Sequence, residues 1–540
     1  MTEPTVADLL RAAEPATPKP LGSLIERLTA AGTLRGARLD GRAIGPAALA
    51  GVAIQGVTQD SRSVGQGSLF VAIEGMHADG HDFVVAAARQ GAAAAIVERP
   101  VPEAAIPQVV VATSPAALAG AAAWWYGDPS HELGVVGITG TDGKTTTSFL
   151  AVAALEAAGF RTGMISTAMT RVGGMSEPNE AHATTPEAPA LQAALRAMSI
   201  AGDRVAVVET TSHALALHRV DAIEYDVAIL TNLTHEHLEL HGSWEAYRDA
   251  KLSLFERLAG GGADRGPGTP WPRTGVVNLD DPSAGSFIGV TQEAGARVLT
   301  YGTDPAADIR ATRIEEDAQR LRVAYQAPSG ASVLELRLAG RFNAHNALAV
   351  VALGEAAGLD PASVREGLAS VELVPGRMER IDLGQPFGVI VDYAHSPASL
   401  TTVLELLAPL AASRGGGLIS VFGSGGERDT AKRPLMGRIA GERSRLVIVT
   451  DEDPRGEDRN AILESIARGA ESSGRRRGHD LLLIADRRAA IGAAVERARP
   501  GDIVLLAGKG HERSIIGPDG PIAWDERSEA EEALRRAGFG

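Results

Sequence analysis

The stretch Gly134–Thr147, GVVGITGTDGKTTT, constrains the fold of this chain more than any other. A β-branched run over residues 135–138 predicts a buried strand, a glycine-rich turn follows over residues 140–143, and Lys144-Thr145 opens a helix. The glycines let backbone N–H groups approach a phosphate, while the helix N-terminus and the lysine favour an anion. The pattern predicts a phosphate cradle in which the threonine hydroxyl can bind Mg²⁺. A turn that binds nothing would leave the Lys-Thr pair unexplained.

Charge and composition narrow the classes of protein to which this chain can belong. Its 540 residues include 52 basic and 67 acidic side chains, and the formal net charge of −15 argues against a nucleic-acid partner. The chain has no cysteine, which excludes disulfides, thiolate metal sites and cysteine nucleophiles. It has no apolar run of about 18 residues and no signal-peptide pattern. We therefore expect a cytoplasmic protein without a membrane partner.

Length and local patterns predict an α/β fold with three domains. The proline-rich residues 1–20 predict a mobile arm with a short helix at VADLLRAA. Residues 21–133 alternate helix and strand signals, and residues 134–374 repeat strand-then-helix units. Residues 375–540 contain five apolar strands, most of them followed by a helix, which predicts a second doubly wound sheet. The Gly/Pro-rich stretch 259–273 is interpreted as a surface loop.

Three side chains outside the glycine-rich turn are candidates for a catalytic metal site. Glu209 ends the predicted strand RVAVVE, His237 follows the next strand in TNLTHEHLELHG, and Lys251 lies on a predicted helix. Ligands of open α/β sheets bind at the carboxyl ends of strands, and Mg²⁺ prefers hard oxygen ligands. Each residue also has a simpler interpretation. Glu209 would be a solvated strand end, His237 a structural histidine and Lys251 a solvated lysine.

Two further segments carry polar side chains at positions typical of binding sites. Asn343 and Asn346 in GRFNAHN are three residues apart and share a helix face. Their amides could cap the helix or hydrogen-bond a nucleobase or ribose. The glycines of VFGSGGERDTAKRP follow a predicted strand and precede Arg428, Lys432 and Arg433. This arrangement favours an anion site over a solvated basic stretch.

The loops TDEDPR and AGKGHE follow two strands of the last predicted sheet, so both should face one crevice. Arg455 could bind a carboxylate, and Asp453 and Glu512 could bind an ammonium. Together the loops predict a pocket for an amino acid, although ordinary turns explain each segment almost as well by itself.

Taken together and in this order, the motifs resemble those of the Mur ligase family of peptidoglycan synthesis. The resemblance extends from about Gly56 to the C-terminus. It is closest to the MurE type, which adds a diamino acid to UDP-N-acetylmuramoyl-L-alanyl-D-glutamate. The motifs that carry it are TQDSR, GTDGKTTT, ATTPE, ETTSHAL, HRV, TNLTHEHL, GRFNAHN, PGRMER, VDYAHSP, GERDTAKRP, DEDPR and GKGHE.

The resemblance implies three domains that bind, in chain order, the UDP end of the substrate, ATP and the incoming amino acid. The first is a small α/β domain, the second a P-loop-type ATPase domain with a mainly parallel sheet, and the third is Rossmann-like. The residues that match ATP contacts are Gly140, Thr141, Asp142, Gly143, Lys144, Thr145, Thr146, Asn343, Asn346, Asp392 and His395. The residues that match contacts to the UDP-muramoyl dipeptide are Ser61, Thr184, Thr185, Thr211 and Arg219. The residues assigned to the amino acid are Arg428, Asp453, Arg455, Gly508 and Glu512.

The resemblance also implies a mechanism. A glutamyl carboxylate attacks the γ-phosphate of ATP to give an acyl phosphate and ADP, and the amine of the diamino acid then displaces phosphate. Lys144, Glu209, His237 and Lys251 match the catalytic residues of the family. Mg²⁺ would be held by Thr145, Glu209, His237 and Lys251, the last as a carbamate, which turns a cation into a carboxylate-like ligand. We expect the enzyme to be a monomer.

The chain departs from the family pattern in the loop that selects the amino acid. Members that add diaminopimelate usually carry Asp-Asn-Pro-Arg, where this chain has Glu452-Asp453-Pro454-Arg455. The extra carboxylate of Asp453 favours a cation, which points to lysine or ornithine, while the retained arginine and GKGHE still suit diaminopimelate. Two other functions remain open. One is a folylpolyglutamate-synthetase-like ligase, against which the TQDSR segment argues, and the other is a nucleotide-binding protein without ligase activity.

Overall fold

The computed structural model describes residues 4–75, 78–179, 183–234, 238–259, 271–316 and 320–540. Three large sheets follow one another along the chain, each with helices packed on it, and this confirms the predicted α/β class. His237 and most of the predicted Gly/Pro-rich loop lie outside the described residues. Within the described ranges, no helix has the length and apolar character needed to cross a membrane.

The first sheet forms a small α/β unit. The elements in chain order are α1 (Val6–Ala12), β1 (Lys19–Pro20), α2 (Leu21–Ala30), β2 (Leu34–Leu39), β3 (Arg42–Ile44), β4 (Ala53–Ile54), β5 (Gly56–Thr58), β6 (Ser68–Val71), α3 (Val84–Arg89), β7 (Ala94–Val97), β8 (Gln108–Val111) and α4 (Ser114–Tyr126). Six strands pair in the order β3-β2-β8-β7-β6-β5. The alternating helix and strand signals predicted for residues 21–133 are confirmed, for example by helix α3, which is followed by Gly91 and strand β7. The core lies between the sheet and helices α2 and α4.

The short helix predicted in the arm of residues 1–20 is confirmed as α1, which contacts the central unit, while most of the other described residues of the arm are exposed. Val6 and Ala13 are buried in the same apolar cluster as the central sheet. Glu14 accepts a hydrogen bond from the hydroxyl of Tyr126. Burial of the apolar face of α1 stabilises this packing, whereas the prolines lie outside the helix and restrict the backbone on either side of it.

The central sheet places the glycine-rich turn at its middle. The elements are β9 (Gly134–Thr139), α5 (Lys144–Ala157), β10 (Thr162–Ile165), β11 (Met169–Val172), β12 (Met175–Pro178), α6 (Ala188–Ala201), β13 (Val205–Glu209), α7 (Ser212–Ala216), β14 (Val227–Leu230), α8 (Leu238–His241), α9 (Trp244–Glu256), β15 (Thr274–Asn278), α10 (Ala284–Glu293), β16 (Arg297–Gly302), β17 (Ile309–Glu316), β18 (Leu321–Ala327), β19 (Gly330–Leu336), α11 (Asn343–Ala357) and α12 (Pro361–Ser370). The order is β12-β11-β10-β13-β9-β14-β15-β16-β17-β18-β19. Strands β13 and β14 flank β9 in parallel, so their polar ends meet beside the turn.

An antiparallel extension, β17–β19, was not among the predicted strands. Strand β18 alternates buried and less buried residues along its length, and this is the ordinary signal of a half-buried antiparallel strand. The predicted strands β9, β13 and β14 are buried at every residue, which makes them continuous apolar runs that are easy to recognise.

The third sheet confirms the five apolar strands predicted near the C-terminus. The elements are β20 (Glu379–Ile381), β21 (Gly388–Asp392), α13 (Pro397–Ser413), β22 (Leu418–Phe422), α14 (Lys432–Arg443), β23 (Leu446–Val449), α15 (Arg459–Ser472), β24 (Leu481–Leu483), α16 (Arg487–Arg497), β25 (Ile503–Ala507), β26 (Ser514–Gly517), β27 (Gly520–Ala523) and α17 (Glu526–Arg536). The sheet order is β20-β21-β25-β22-β23-β24, and β26 and β27 form a separate hairpin that was not predicted. The boundaries of the three domains stay predictions.

Candidate active site

The turn after β9 has the close backbone packing that its glycines permit. Gly140 has a φ of +146°, and a Cβ there would stand 1.9 Å from the hydroxyl oxygen of Thr231. Gly143 has a φ of +85°, and a Cβ there would stand 2.4 Å from Oδ1 of Asn346. The turn therefore lies against the end of β14 and the start of α11, and the predicted strand, turn and helix are confirmed.

Gly143→Ala is expected to weaken nucleotide affinity about ten-fold or more and to destabilise the fold by ~1–3 kcal/mol, because alanine at this φ is strained and displaces Asn346. Gly120→Ala is the matched control, since no atom lies within 4 Å of a Cβ there and the residue is inside α4. The control should be neutral or slightly stabilising. Nucleotide titration and thermal unfolding measure both effects, and native affinity in Gly143→Ala would contradict the assignment of the turn.

Lys144, the first residue of α5, is folded back onto the turn. Its Nζ donates hydrogen bonds to the carbonyl oxygens of Gly140 at 3.0 Å and Thr141 at 2.7 Å. The first backbone N–H groups of α5 have no intrahelical acceptor, and the helix dipole adds partial positive charge at the same end. An anion at this turn would meet both the N–H groups and the ammonium. The other predicted phosphate contacts, Asp142, Thr145 and Thr146, lie in the turn and the first turn of α5.

Glu209 lies beside this turn at the end of β13, and its side chain is 0% exposed, so the interpretation as a solvated strand end is wrong. Its Oε2 accepts a hydrogen bond from the Thr167 hydroxyl at 2.8 Å. Its Oε1 accepts none from any residue in the described part of the chain. Burial raises the pKa of Glu209, and the neighbouring Lys144 opposes that rise. A buried carboxylate oxygen with unused acceptor capacity suits a hard cation.

Lys251 is also buried, with 2% of its surface exposed, so the interpretation as a solvated lysine is wrong. Helix α9 brings its Nζ to 2.8 Å from the carbonyl oxygen of Gly140, which Lys144 also contacts. The same Nζ lies 4.6 Å from the centroid of the Tyr247 ring. His237, the remaining predicted member of this cluster, lies outside the described residues.

Asn343 and Asn346 contact each other and the turn instead of capping α11. Nδ2 of Asn346 donates to Oδ1 of Asn343 at 2.9 Å, and Nδ2 of Asn343 donates to the carbonyl of Ala339 at 2.6 Å. The Thr147 hydroxyl lies 3.4 Å from Oδ1 of Asn346. The N-cap position of the helix, Phe342, makes no side-chain cap hydrogen bond. The capping alternative is therefore wrong, and of the two buried amides Asn346 lies against Gly143 of the predicted phosphate turn.

Arg377 is a site residue that the sequence analysis missed. Its Nη2 donates to the Thr145 hydroxyl at 3.0 Å, and its guanidinium carbon lies 4.5 Å from the centroid of the Tyr393 ring. Asp392, a predicted residue, ends β21 and accepts the backbone N–H of Met378 at 2.8 Å, which fixes the segment that carries Arg377. Burial raises the pKa of Asp392. An arginine in a Pro-Gly turn between two predicted sheets was the available signal.

The basic residues after β22 have different environments. Lys432 donates to the backbone carbonyl of His395, another predicted residue, at 2.9 Å. Arg433 is buried and paired with Glu457 at 2.6 Å. Arg428 is exposed and forms no ion pair with any residue that the structure describes. Of the three basic side chains predicted to form an anion site, Arg433 is engaged by a carboxylate, and the anion site stays a prediction.

A group of residues predicted to bind the UDP-linked substrate adjoins Glu209. The Thr185 hydroxyl donates to the backbone carbonyl of Glu209 at 2.6 Å and lies 3.2 Å from the hydroxyl of Thr211. Nη1 of Arg219 donates to the carbonyl of Thr185 at 3.0 Å. Ser61 lies in a short turn of the first unit and shares no hydrogen bond with this group among the described contacts. The structure thus assembles most of the predicted set without Ser61.

The TDEDPR and GKGHE loops meet at Lys509, which the sequence analysis did not single out. Its side chain is 0% exposed, and Nζ donates to Oδ1 of Asp453 at 2.8 Å and to the carboxylate of Glu512. The two loops therefore come together at this lysine, and the shared crevice stays a prediction. The protein's own lysine occupies the position predicted for a ligand ammonium, so the expected direct contact of Asp453 with a ligand cation is corrected.

Arg455 and Glu452 of the TDEDPR loop each have a hydrogen-bonding atom that is not used. Arg455 has a φ of +54°, and its backbone N–H donates to the carbonyl of Ile516 at 2.8 Å. Its Nε, like Oε2 of Glu452, is buried without a hydrogen-bond partner in the described ranges. Burial raises the pKa of Glu452. Gly508 has a φ of +100°, and a Cβ there would stand 3.2 Å from Oε2 of Glu452, so glycine keeps this approach open.

A cavity of about 370 Å³ lies between the central and C-terminal sheets. Its lining includes Thr167, Asn179 and Thr184 on one side and Tyr393, His511 and Glu512 on the other. Nε2 of His511 donates to the carbonyl of Thr167 at 3.1 Å and joins the two sides. Burial lowers the pKa of His511 to about 3, so the ring is neutral at physiological pH. A carboxylate held near Thr184 and an amine held near Glu512 would meet in this cavity.

Thr167 joins this cavity to Glu209 beside the glycine-rich turn, and the GKGHE loop forms the opposite wall, an arrangement that suits an ATP-dependent ligase. The sequence matches three family models: the Mur ligase family catalytic domain over residues 53–126, the Mur ligase middle domain over 138–354 and the glutamate ligase domain over 376–510. The chain belongs to the Mur ligase family. It is an ATP-dependent ligase that forms an amide bond.

Curated relatives are similar in sequence to this protein over most of the chain. It is 47% identical to the UDP-N-acetylmuramyl-tripeptide synthetase of Roseiflexus sp., covering 90% of this chain and 96% of the relative. It is 41% identical to the UDP-N-acetylmuramoyl-L-alanyl-D-glutamate–2,6-diaminopimelate ligase of Geobacter metallireducens, covering 89% and 94%. The MurE type named by the sequence motifs is thereby confirmed.

Solved structures show the same architecture. A UDP-N-acetylmuramoyl-L-alanyl-D-glutamate–2,6-diaminopimelate ligase superimposes with a TM-score of 0.60 and 30% identity, covering 90% of this chain and 96% of that one. The folylpolyglutamate synthase of Mycobacterium tuberculosis superimposes with a TM-score of 0.58 but 20% identity, covering 72% and 91%, which is a likeness of fold alone. The predicted three-domain Mur ligase architecture is confirmed.

Proposed function

We propose that this chain adds a diamino acid to UDP-N-acetylmuramoyl-L-alanyl-D-glutamate in the cytoplasmic synthesis of peptidoglycan precursors. The proposal is supported by the substrates in the names of its relatives. One observation of the site carries it: Thr167 lines a cavity whose far wall is the GKGHE loop, and its hydroxyl donates to Glu209 beside the phosphate turn and lies 2.9 Å from the hydroxyl of Thr184. Activation of the glutamyl carboxylate and formation of the amide bond would then take place in one cavity.

The ATP phosphates would lie on the turn 140–146 at the N-terminus of α5. When ATP binds, Lys144 would exchange its hydrogen bonds to backbone carbonyls for contacts with the phosphates. Arg377, which donates a hydrogen bond to the Thr145 hydroxyl, would add a second positive charge. The nucleoside would contact the residues at the start of α11 and the end of β21, namely Asn343, Asn346, Asp392 and His395. Asn346 lies against Gly143 of the turn, and Asp392 holds the segment that carries Arg377, whose guanidinium reaches Thr145.

The side chains around the turn fit Mg²⁺ if Lys251 is carbamylated. Glu209 has a buried oxygen with unused acceptor capacity, and Thr145 has a hydroxyl at the turn. An unmodified Lys251 would repel a cation, whereas its carbamate would supply an oxygen ligand. His237 is the remaining proposed ligand. When bound, Mg²⁺ would neutralise charge on the ATP phosphates.

The residues of the chain then orient two displacements. Thr184, Thr185, Thr211 and Arg219, with Ser61 toward the uridine, would hold the UDP-linked substrate so that its glutamyl carboxylate oxygen attacks the γ-phosphorus and ADP leaves. The free amine of the diamino acid attacks the resulting acyl carbon, phosphate leaves, and the nitrogen loses a proton. The protein contributes positioning and neutralisation of charge.

The incoming amino acid would occupy the pocket of Arg428, Asp453, Arg455, Gly508 and Glu512. Arg455 would bind a carboxylate through its unused guanidinium capacity. Diaminopimelate, lysine and ornithine remain the candidates. Because Lys509 already lies between Asp453 and Glu512, Asp453 would act on the choice through the net charge of the pocket.

Asp453→Asn is expected to shift the preference toward diaminopimelate by roughly ten-fold, because it removes one negative charge from a pocket where two carboxylates share one lysine. Competition among diaminopimelate, lysine and ornithine measures the shift. Asp519→Asn, which removes a charge from the exposed turn of the β26–β27 hairpin, is the control. Unchanged ratios in Asp453→Asn would refute the role of this charge.

The test of the proposed function is an assay with ATP, Mg²⁺ and the UDP-muramoyl dipeptide. Phosphate release and a tripeptide product should appear only when one of the three diamino acids is added. Hydroxylamine, which traps acyl phosphates, should give a hydroxamate without any amino acid. Glutamate addition to a folate would favour the folylpolyglutamate-synthetase-like alternative, and nucleotide binding with neither product would favour a binding protein without ligase activity.

The proposal extends to the state of the protein in the cell. We propose a monomeric enzyme of the cytoplasm with small-molecule partners and neither a membrane nor a nucleic-acid partner. The net charge of −15 supports the last point. Sedimentation of the purified chain with and without its substrates tests the monomer, and a concentration-dependent shift to a dimer would contradict it.

A further inference from the structure

We infer that the buried pair Arg487–Glu526 positions the two amino-acid-binding loops and thereby sets the reach of the pocket between Arg455 and Glu512. The inference rests on the proposed function, because it concerns the amino acid that this pocket would take. Neither Arg487 nor Glu526 lies in the loops themselves, so each acts through the backbone that it contacts.

Arg487 ties together the ends of two strands that have no direct contact in the sheet. It is the first residue of α16, and its guanidinium is buried. Nη1 donates to the carbonyl of Asp451 at 2.9 Å, and Nη2 donates to the carbonyl of Ala507 at 2.8 Å. Asp451 follows β23 and Ala507 ends β25, and β22 separates these strands. No ladder hydrogen bond therefore joins these two strand ends directly, and the guanidinium bridges the residues that follow the ladder.

Glu526 fixes the orientation of that guanidinium. Its carboxylate oxygens accept from Nε of Arg487 at 2.9 and 3.1 Å and from Nη2 at 2.6 Å, with both side chains 0% exposed. Nε1 of Trp524 donates to Oε2 of Glu526 at 2.7 Å. A planar guanidinium held in this way by a carboxylate keeps one orientation, which a lysine ammonium would not. The donors to the two loop carbonyls are therefore held rigidly.

The two tethered carbonyls are close in sequence to the groups that would bind the ligand. Arg455 lies four residues beyond Asp451, and Glu512 lies five residues beyond Ala507. Lys509 links the loops farther out, through Asp453 and Glu512. The loops are thus joined at their bases by Arg487 and at their tips by Lys509. A change of about 1 Å at the base would misplace the bound amine by an amount that typically costs ~10²-fold in rate.

The deciding experiment uses the double variant Arg487→Met/Glu526→Gln. Both charges are removed together, so neither is left buried alone, and glutamine keeps an acceptor for Trp524. We expect KM for the diamino acid to rise about ten-fold or more, and the discrimination between lysine and ornithine, which differ by one methylene, to fall to about two-fold or less. Hydroxylamine trapping of the acyl phosphate, which needs no amino acid, should stay within about two-fold of the native value, because the base of these loops does not contact the phosphate turn.

Arg488→Met is the matched control. Arg488 is the next residue of α16 and pairs with Glu529 of α17 at 2.6 Å, but the pair is on the surface and does not contact either loop. This variant should behave as the native chain. Arg487→Lys, which keeps a charge for Glu526 but cannot span both carbonyls, provides a second variant if the double variant does not fold, and it should raise KM to a smaller extent.

The outcomes separate the inference from the proposed function. Native KM and native discrimination in the folded variants would overturn the inference, and so would an equal loss of hydroxylamine trapping, which indicates general damage. If the native chain forms no amide with any diamino acid, the proposed function fails before the variants are compared.

Discussion

Lys144→Met is expected to lower kcat/KM for ATP by about 10²–10³-fold, the usual cost of removing one preorganised donor to a developing charge. Methionine keeps the length and apolar stem of the side chain and removes only its charge. Stability should change little, because the lost bonds are two hydrogen bonds to carbonyls at the partly buried turn, worth about 1 kcal/mol each. The cost is large in catalysis because the lysine lies where the γ-phosphate would carry its charge.

Initial rates over a range of ATP concentrations, together with thermal unfolding, measure this effect. Arg196→Met is the control, since it removes a cation of the central unit that is paired with Glu132 at the surface. A surface pair of this kind contributes about 0.2–1 kcal/mol to stability and should not affect the rate. A Lys144→Met variant with native kcat/KM would remove the phosphate turn from the mechanism.

Lys251→Ala is expected to reduce activity by about 10²-fold or more, because several kcal/mol of metal-dependent charge stabilisation would be lost with the carbamate ligand. Short carboxylic acids such as acetate should restore part of the activity by placing a carboxylate in the vacated space. Lys251 is only 2% exposed, and its Nζ lies 2.8 Å from the Gly140 carbonyl oxygen. A carboxylate that fills the space of this side chain would therefore lie directly at the turn.

Lys251→Arg separates the two chemical roles that this side chain can have. Arginine keeps the cation but cannot form the carbamate, so it should be as inactive as alanine if the carbamate is the ligand. Enzyme prepared with ¹³C-labelled bicarbonate should show a carbamate carbon in its NMR spectrum that Lys251→Arg lacks. An active arginine variant without that signal would falsify the carbamate and leave Lys251 as a structural cation at the turn.

Much of the fold was accessible from sequence because buried parallel strands are continuous apolar runs. Strands β9, β13, β14 and β21–β25 were all recognised in this way. The antiparallel extension β17–β19 and the hairpin β26–β27 were missed, because alternating polarity over short segments is a weaker signal. The N-terminal arm was interpreted from its prolines, whereas its position depends on an apolar helix face that finds a partner far along the chain.

The site residues also differ in how well local sequence patterns predicted them. Residues in dense local motifs, such as Lys144 and Glu209, were identified from their place at strand ends. Arg377 and Lys509 were missed or passed over, since each acts on a group from another segment. The interpretation of Asp453 changed for the same reason. Its charge was visible in the sequence, but the buried ammonium beside it was not.

The glycine-rich turn after β9 follows from local sequence, because glycine φ angles, a β-branched strand and a helix start are properties of consecutive residues. What surrounds that turn depends on the packing of distant segments. Lys251 is buried on it, Asn346 packs against Gly143, and a guanidinium from beyond the central sheet contacts Thr145. Burial and pairing between residues hundreds of positions apart depend on how sheets pack against each other, and local sequence patterns do not encode that packing.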